Sequence, residues 1–515
     1  MNFVRSFILA LIVAIGFLNA PAAHALRIDA ASKTEYMNAV NSVSLEDMRT
    51  SIQKIWGHGL NPKTYWTDSM EQSYQAGRGA DVKQVANQNF VRLLQDISMG
   101  AVDPEEMPND VAMKSKGFMN AKQLQALVTS SGNQAELLIE NLAPQSPPYM
   151  ALKAALTRIY PACRYNQWPN LSVPKKNLKL GVSDASVVNL KKRFQLLGYR
   201  ISSENEVVDA ETVAAMNDVM WNMHVTPDGA MSPGGQLYKF LSVSCMDRVH
   251  QIQADMEKMR WFPQQFEDRF ILVNLAFTYF IMIDRSNGQN VATSFRTING
   301  RPERRTPTMK DKIVRVILNP AWIVPPTIFM EDKVSEIRGL PRSGIRNYFE
   351  QHNYEVWNRD LSKRLDPESI DWWGPASSLD QSIYIRQRPN YFGSLGVVKF
   401  ELTNSMSIYL HDTNQRDLFV DPSRTISSGC IRLERPIDVA EYLLQGTEWT
   451  RSAIESTVAK PGEVLDKSTN IVLKNQMPVY LIFQTSTHTS DNIVRFTTDV
   501  YNQNQEILSR FNAAL

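Results

Sequence analysis

Apolar residues recur at three- and four-residue steps through the first third of the chain, in stretches such as "NFVRLLQDI" and "LQALVTSSGNQAELLIENL". That period predicts amphipathic helices, interrupted by turn clusters such as "APQSPP" at 143–148. A second helical stretch begins with "SDASVVNLKKRFQLLGY", where Val187, Leu190, Phe194 and Leu197 share one face. Ser183 or Asp184 caps its start and Gly198 stops it. "DAETVAAMNDVMWNM" predicts another helix, followed by "VTPDGAMSPGGQLYKFL" and then a linking helix, "DRVHQIQADMEKMRWFP". From residue 266 the period shortens. "RFILVNLAFTYFIMID", "VATSFRTING", "KIVRVILNP", "VVKFELT" and "SMSIYLHD" are rich in β-branched and aromatic residues, with Asn, Gly or Pro between them, and predict strands. The expected fold class is multidomain. An α-helical scaffold over 26–177 is followed by a small three-helix unit over 178–245 and a linking helix over 246–265. A mainly β domain over 266–485 comes next, and "FTTDVYNQNQEILSRFN" predicts an amphipathic helix within 486–515. The β domain carries a Trp-rich, helix-like insertion over 327–382, long enough to read as a lid or binding surface.

The first 25 residues change the compartment expected. Arg5, an apolar run from Phe7 to Leu18 and the small-x-small ending at Ala23, His24 and Ala25 match a cleaved secretory signal peptide over 1–25. The apolar run is shorter than the ~20 residues of a membrane span. The chain is therefore expected in the periplasm, exported and soluble. A formal net charge of +2 over 515 residues excludes an electrostatic nucleic-acid partner. Three cysteines are too few for a disulfide framework. Cys163 and Cys245 either pair or stay free, and Cys430 is the odd thiol.

A cysteine nucleophile needs a base and donors for a developing oxyanion. Two of the seven histidines precede a cysteine closely: His224 by 21 residues before Cys245, and His411 by 19 before Cys430. Spacing does not separate them, but context does. His224 and Cys245 sit in or beside helices with no glycine at the sulfur, as ordinary packing residues do. His411 ends a predicted strand whose alternation puts Tyr409 and His411 on one face and Ile408 and Leu410 on the other. Cys430 follows Ser427, Ser428 and Gly429, a turn whose glycine lets backbone N–H groups converge, just before a helix opened by Pro436. No clustered His, Cys and carboxylate set suggests a metal, and no cofactor motif is present.

Two resemblances follow. Phe194-Gln195, Leu197-Gly198-Tyr199, Glu211-Thr212 and Asp228-Gly229 resemble the small three-helix peptidoglycan-binding domain of wall enzymes. "NEVVDAETV" lacks that family's Asp-Gly turn, and Met220-Trp221 replaces its Phe-Gln. "IYLHDT" with "SSGCIRLERP", "RRTPTM" and "NPAWIVPP" resembles the L,D-transpeptidase family with its YkuD-type catalytic domain, in its large periplasmic branch. Most members of that family carry His where this chain has Ser428, so the base is expected to be His411. The resemblance implies a curved β sheet or sandwich, with Cys430 as nucleophile, His411 as base and the Gly429 and Cys430 N–H groups as oxyanion donors. It also implies Tyr409, Ser428 and Arg432 as substrate-binding residues, and 3→3 cross-linking of peptidoglycan stem peptides through a thioester. The implied partners are stem peptides and glycan, carbapenems that acylate Cys430, and other wall-synthesis proteins. A sortase-like transpeptidase and a non-catalytic wall-binding scaffold are the alternatives. A sortase places its His much farther upstream, and its Arg farther downstream of Cys.

Overall fold

The computed structural model describes residues 32–108, 110–286 and 291–511, so the signal-peptide reading of 1–25 lies outside the described residues. The N-terminal part is helical, including a long helix at Gly79–Met99 and another at Pro147–Arg164. Helices at Ser186–Leu197, Ala210–Asn222 and Gln236–Leu241 form the small unit that follows. Asp184 Oδ1 accepts the Ser186 N–H at 2.9 Å, which starts the first of these helices, and Gly198 ends it in the left-handed region at φ 100°. A Cβ at Gly198 would lie 2.1 Å from the Asn492 carbonyl oxygen, so this glycine is required by space as well as by backbone.

The predicted linking helix is more than a connector. It runs Cys245–Trp261, shorter than 246–265 at its far end because Pro263 keeps Phe262 extended. Asp255, Glu257, Lys258 and Arg260 on it are all buried. Buried charges cost several kcal/mol each unless paired and hydrogen-bonded. Lys258 meets Asp255 at 2.8 Å and Arg260 meets Glu257 at 2.7 Å. Glu257 also accepts the Val102 N–H at 2.7 Å, and Asp255 accepts the Thr485 N–H at 2.9 Å. The helix therefore ties the scaffold to the β domain. A Cys163–Cys245 disulfide joins its first residue to the end of the Pro147–Arg164 helix, deciding the question the sequence left open.

The β domain is built from β1 (Arg269–Asn274), β2 (Tyr279–Asp284), β3 (Val291–Gly300), β4 (Met309–Leu318), β5 (Trp322–Ile323), β6 (Tyr354–Asn358), β7 (Arg364–Leu365), β8 (Ile383–Gln387), β9 (Val398–Leu402), β10 (Leu410–His411), β11 (Thr425–Ser427), β12 (Ile431–Leu433) and β13 (Thr469–Ile482). The main sheet runs β11-β3-β12-β10-β9-β4-β13-β1-β2, and a further β2–β3 pairing closes every strand but β11 into a ring. Closure removes exposed sheet edges. Alternation fills both faces: Ile271, Val273, Val479 and Leu481 enter the barrel core, while Phe270, Leu272, Tyr480 and Ile482 pack against the helical side.

The insertion is rich in short helices, as its pattern suggests, and its β6 and β7 join β5 and β8 from its flanks in a second sheet that packs with those helices around the fully buried Trp372. Two expectations need correction. "SMSIYLHD" is a strand only at Leu410–His411, because Asn404 Oδ1 accepts the N–H groups of Met406 and Ile408 and folds the preceding residues into a turn. The C-terminal stretch opens with a hairpin, β14 (Ser486–His488) and β15 (Val494–Phe496), and its helix covers only Gln503–Arg510. Asp499 accepts the Gln503 and Asn504 N–H groups at 3.0 and 2.8 Å and starts that helix late.

Candidate active site

Parallel pairing of β10 with β12 brings the two sequence-distant segments together, matching Leu410 with Ile431 and His411 with Arg432. The Ile431 N–H donates to the Tyr409 carbonyl at 3.1 Å, so Cys430 lies across from Tyr409 and His411 lies one pleat further along. Leu410 and Ile431 point into the barrel core. Tyr409, His411, Cys430 and Arg432 instead line one pocket of about 480 Å³, together with Ser428 and Gly429. All six residues singled out in the sequence thus meet in a single cavity. Thr327, Ile328, Asp332 and Lys333 of the insertion form part of its wall.

The turn that presents Cys430 is braced from below. Gly429 adopts φ 116°, and a Cβ built there would find no heavy atom nearer than 3.7 Å, so backbone conformation and not crowding demands glycine. The Thr306 hydroxyl donates to the Gly429 carbonyl at 2.7 Å and accepts the Gly300 N–H at 2.9 Å. Tyr501, from the C-terminal segment, donates to the Gly300 carbonyl at 2.5 Å. The Gly429 N–H donates to Ser427 Oγ at 3.2 Å. Of the two oxyanion donors expected, the Cys430 N–H is the one without a partner among the described residues.

Burial favours the neutral form of both Cys430 and His411. Burial pushes the Cys430 thiol up, and Tyr409, Lys399 and Arg432 pull the other way. The thiol donates a long contact to the Ser407 carbonyl, 3.5 Å, and is the free cysteine among the described residues. Burial, aided by the positive charge of Arg432, lowers His411 to about 3. His411 Nδ1 is buried and makes no hydrogen bond of good geometry, although the Asp412 backbone lies near enough to favour the protonated ring. Asp412 itself does not face the ring. It accepts the Val397 N–H at 2.9 Å and pairs with Arg416 at 2.5 Å, and Gly396 leaves room for its carboxylate, which a Cβ would meet at 2.2 Å.

The remaining residues sort by charge. Arg432 is half-buried, and its Nη1 donates to Gln415 Oε1 at 2.7 Å. Burial lowers its affinity for protons, and no carboxylate of the described residues pairs with it. Ser428 Oγ accepts from Arg304 at 3.2 Å. Lys399 and Thr306 were missed in the sequence. Lys399 pairs across from His411 on β9 and lies 4.1 Å over the Tyr409 ring. Alternation along "VVKFELT" puts it on the pocket side, so the signal was present. Thr306 and Arg304 lay inside the quoted "RRTPTM", but nothing in that string tells which side chain touches the Cys430 turn. His224 is elsewhere, with its ring nitrogens against the carbonyls of Pro422 and Ala276 at 3.0 and 2.8 Å.

Comparison with known proteins agrees with this architecture. Residues 268–457 match the YkuD family, the L,D-transpeptidase catalytic domain, and residues 39–156 match the Scaffold domain family. A candidate L,D-transpeptidase of Haemophilus influenzae is 34% identical over 213 residues, which cover 41% of this chain and 40% of that relative. A solved L,D-transpeptidase (Yku) from Stackebrandtia nassauensis overlaps 60% of this chain and 97% of its own at 12% identity, with a TM-score of 0.23. One from Xylanimonas cellulosilytica overlaps 59% and 97% at 12% identity, with a TM-score of 0.18. Those scores are too low for either overlap to carry a conclusion. The chain thus has an L,D-transpeptidase catalytic domain of the YkuD type behind an N-terminal Scaffold domain.

Proposed function

We propose that the L,D-transpeptidase catalytic domain at residues 268–457 forms 3→3 cross-links between peptidoglycan stem peptides through a thioester on Cys430. The observation that carries this reading is the meeting of Cys430, His411 and the acid-free Arg432 in one pocket on two adjacent parallel strands. Cys430 attacks the carbonyl of the third residue of a tetrapeptide stem, commonly meso-diaminopimelate, and His411 takes the thiol proton. The Cys430 N–H faces the developing oxyanion, a contribution of about 3 kcal/mol for one such donor. The bond to D-alanine breaks, and His411 returns the proton to the departing amine. An acceptor amine from a second stem then attacks the thioester. Its proton passes through His411 to the sulfur, and the free thiol is restored.

A neutral thiol beside a neutral imidazole supports general-base attack over a preformed ion pair. Arg432, with no protein acid to neutralise it, suits a substrate carboxylate, and Gln415 fixes its direction. Water competes with the acceptor amine for the thioester, so a wall that excludes solvent favours cross-linking over hydrolysis. The insertion over 327–382 lies where such a wall is needed. The Cys163–Cys245 disulfide and the signal-like N-terminus both support work in an oxidising, exported compartment, the periplasm.

Intact-mass measurement with a carbapenem tests the nucleophile. One acyl adduct is expected on the wild type and none on Cys430→Ala, and an adduct that persists on the variant refutes the assignment. Muropeptide profiles after expression test the reaction. If 3→3 linkages stay at the level of the Cys430→Ala control, transpeptidation is wrong and a wall-binding role remains.

A further inference from the structure

The two adjacent arginines of "RRTPTM" reach in different directions. Arg305 turns to the scaffold, where Asp110 Oδ2 lies 3.1 Å away. Arg304 turns to the insertion and grips Asp332 with both terminal nitrogens, at 2.8 and 2.7 Å, while also meeting Glu331 at 2.5 Å. The same Nη1 that reaches Asp332 lies 3.2 Å from Ser428 Oγ, two residues before the nucleophile. One guanidinium thus contacts the insertion and the nucleophile turn at once.

The setting strengthens the contact. The Arg304 side chain is 11% exposed, and the Asp332 side chain is 33% exposed, so their attraction is only partly screened by water. A fork-to-fork pair of this kind is directional as well as strong. Asp332 holds Arg304 above its ordinary range, and Arg304 holds Asp332 below its own. Glu331 and Asp332 belong to a π-helical turn, Phe329–Lys333, near the start of the insertion. Such turns concentrate at functional sites. Phe329 anchors this one in the insertion's own core, while Asp332 and Lys333 face the pocket.

We propose that Arg304 is a positioning residue that couples seating of the 327–382 insertion over the pocket to the placement of Ser428 and the Cys430 turn. When the insertion is seated, Arg304 is held by two carboxylates and in turn holds Ser428. When the insertion lifts, the guanidinium loses both acids and its hold on Ser428 loosens, leaving Ser428 Oγ the longer contact from Arg301 at 3.4 Å. Because linkage is reciprocal, the ordered turn also favours the seated insertion. Under the proposed transpeptidation, on which this role rests, the consequence is a thioester kept from water until the acceptor amine arrives.

Two measurements on the full chain test the coupling. Alkylation by iodoacetamide, in which the Cys430 sulfur displaces iodide, reads the seating without transpeptidation, and it is selective for Cys430 because Cys163 and Cys245 are disulfide-bonded. Arg304→Gln and Asp332→Asn should each speed alkylation by about fivefold, and the double variant should go no further than the singles, because both break one link. Arg304→Lys keeps the charge but not the fork and should fall between wild type and Arg304→Gln. With a disaccharide tetrapeptide as substrate, the same variants should shift product from cross-linked dimer to hydrolysed tripeptide by about tenfold. Unchanged alkylation in Asp332→Asn and Arg304→Lys, or effects that multiply in the double variant, would overturn the coupling. If alkylation shifts as expected but the wild type makes no dimer, the coupling stands and the proposed reaction fails. Should Arg304→Gln not fold, Asp332→Asn and Arg304→Lys decide the matter alone.

Discussion

Two histidine–cysteine pairs of nearly equal spacing meet opposite fates in this molecule. His224 and Cys245 are 21 residues apart, His411 and Cys430 19. Cys245 is closed in a disulfide, and His224 has a backbone carbonyl against each ring nitrogen. Cys430 is a free thiol held by Tyr409 and a long contact to the Ser407 carbonyl, and His411, with the Asp412 backbone near its ring, lines the same cavity. The difference is that the second pair leaves its sulfur free beside a cavity. Satisfied groups hold the fold together instead.

The sharpest way to break this contrast is to remove each histidine. His411→Gln should lower transpeptidation by about 10² to 10⁴-fold, the usual worth of a positioned base, with little change in melting temperature. His224→Gln should keep most of the activity and lower stability by about 1–3 kcal/mol, the cost of breaking buried hydrogen bonds. Equal activity losses in the two variants would erase the distinction. Next in size is the bond that closes Cys245. Replacing both Cys163 and Cys245 by Ser should cost about 2–4 kcal/mol in denaturant unfolding, with the Cys430 acylation rate nearly unchanged in the folded protein.

The smallest expected effect concerns pH. Burial raises the thiol, so Cys430 is protonated at neutral pH and becomes thiolate only as pH rises through its elevated pKa. Burial lowers His411 to about 3, so the ring does not charge between pH 5 and 8 and cannot hold a thiolate there as an ion pair. Iodoacetamide alkylation should therefore climb steadily through the alkaline range. A plateau of reactivity between pH 5 and 7 would reveal a preformed thiolate–imidazolium pair and contradict the general-base reading.

Much of the pocket was legible in linear form. Tyr409 and His411 occupy positions whose alternation already assigned them to one side, and Gly429 announced the turn that carries Cys430, whereas the side taken by Cys430 and Arg432 waited for the β10–β12 pairing. Lys399 obeyed the same alternation and was overlooked because its strand carried no other chemistry. The insertion was visible as a break in the strand pattern. Its β6 and β7 were not, since strands of five and two residues gain their stability from the partner strand rather than from their own pattern. The shared role of the Cys245–Trp261 helix was equally hidden. Its sequence marked only a connector, whereas its charges are buried in pairs along the helix and hydrogen-bonded to residues up to 246 positions away, as in the Lys258–Asn504 contact.

The sequence by itself determined the order of helical and β regions, the free thiol, the histidine before it and the glycine that shapes the turn. These rest on local periodicity and on residue identity. Only the tertiary structure decided which N–H of the Gly429–Cys430 turn is without a partner among the described residues, that Thr306 and Tyr501 brace that turn, and that Arg304 joins Ser428 to the insertion. Those contacts link residues far apart in the chain, most of them by more than a hundred positions. Their existence depends on how a closed sheet stacks its strands, and that register is set by the packing of the whole core.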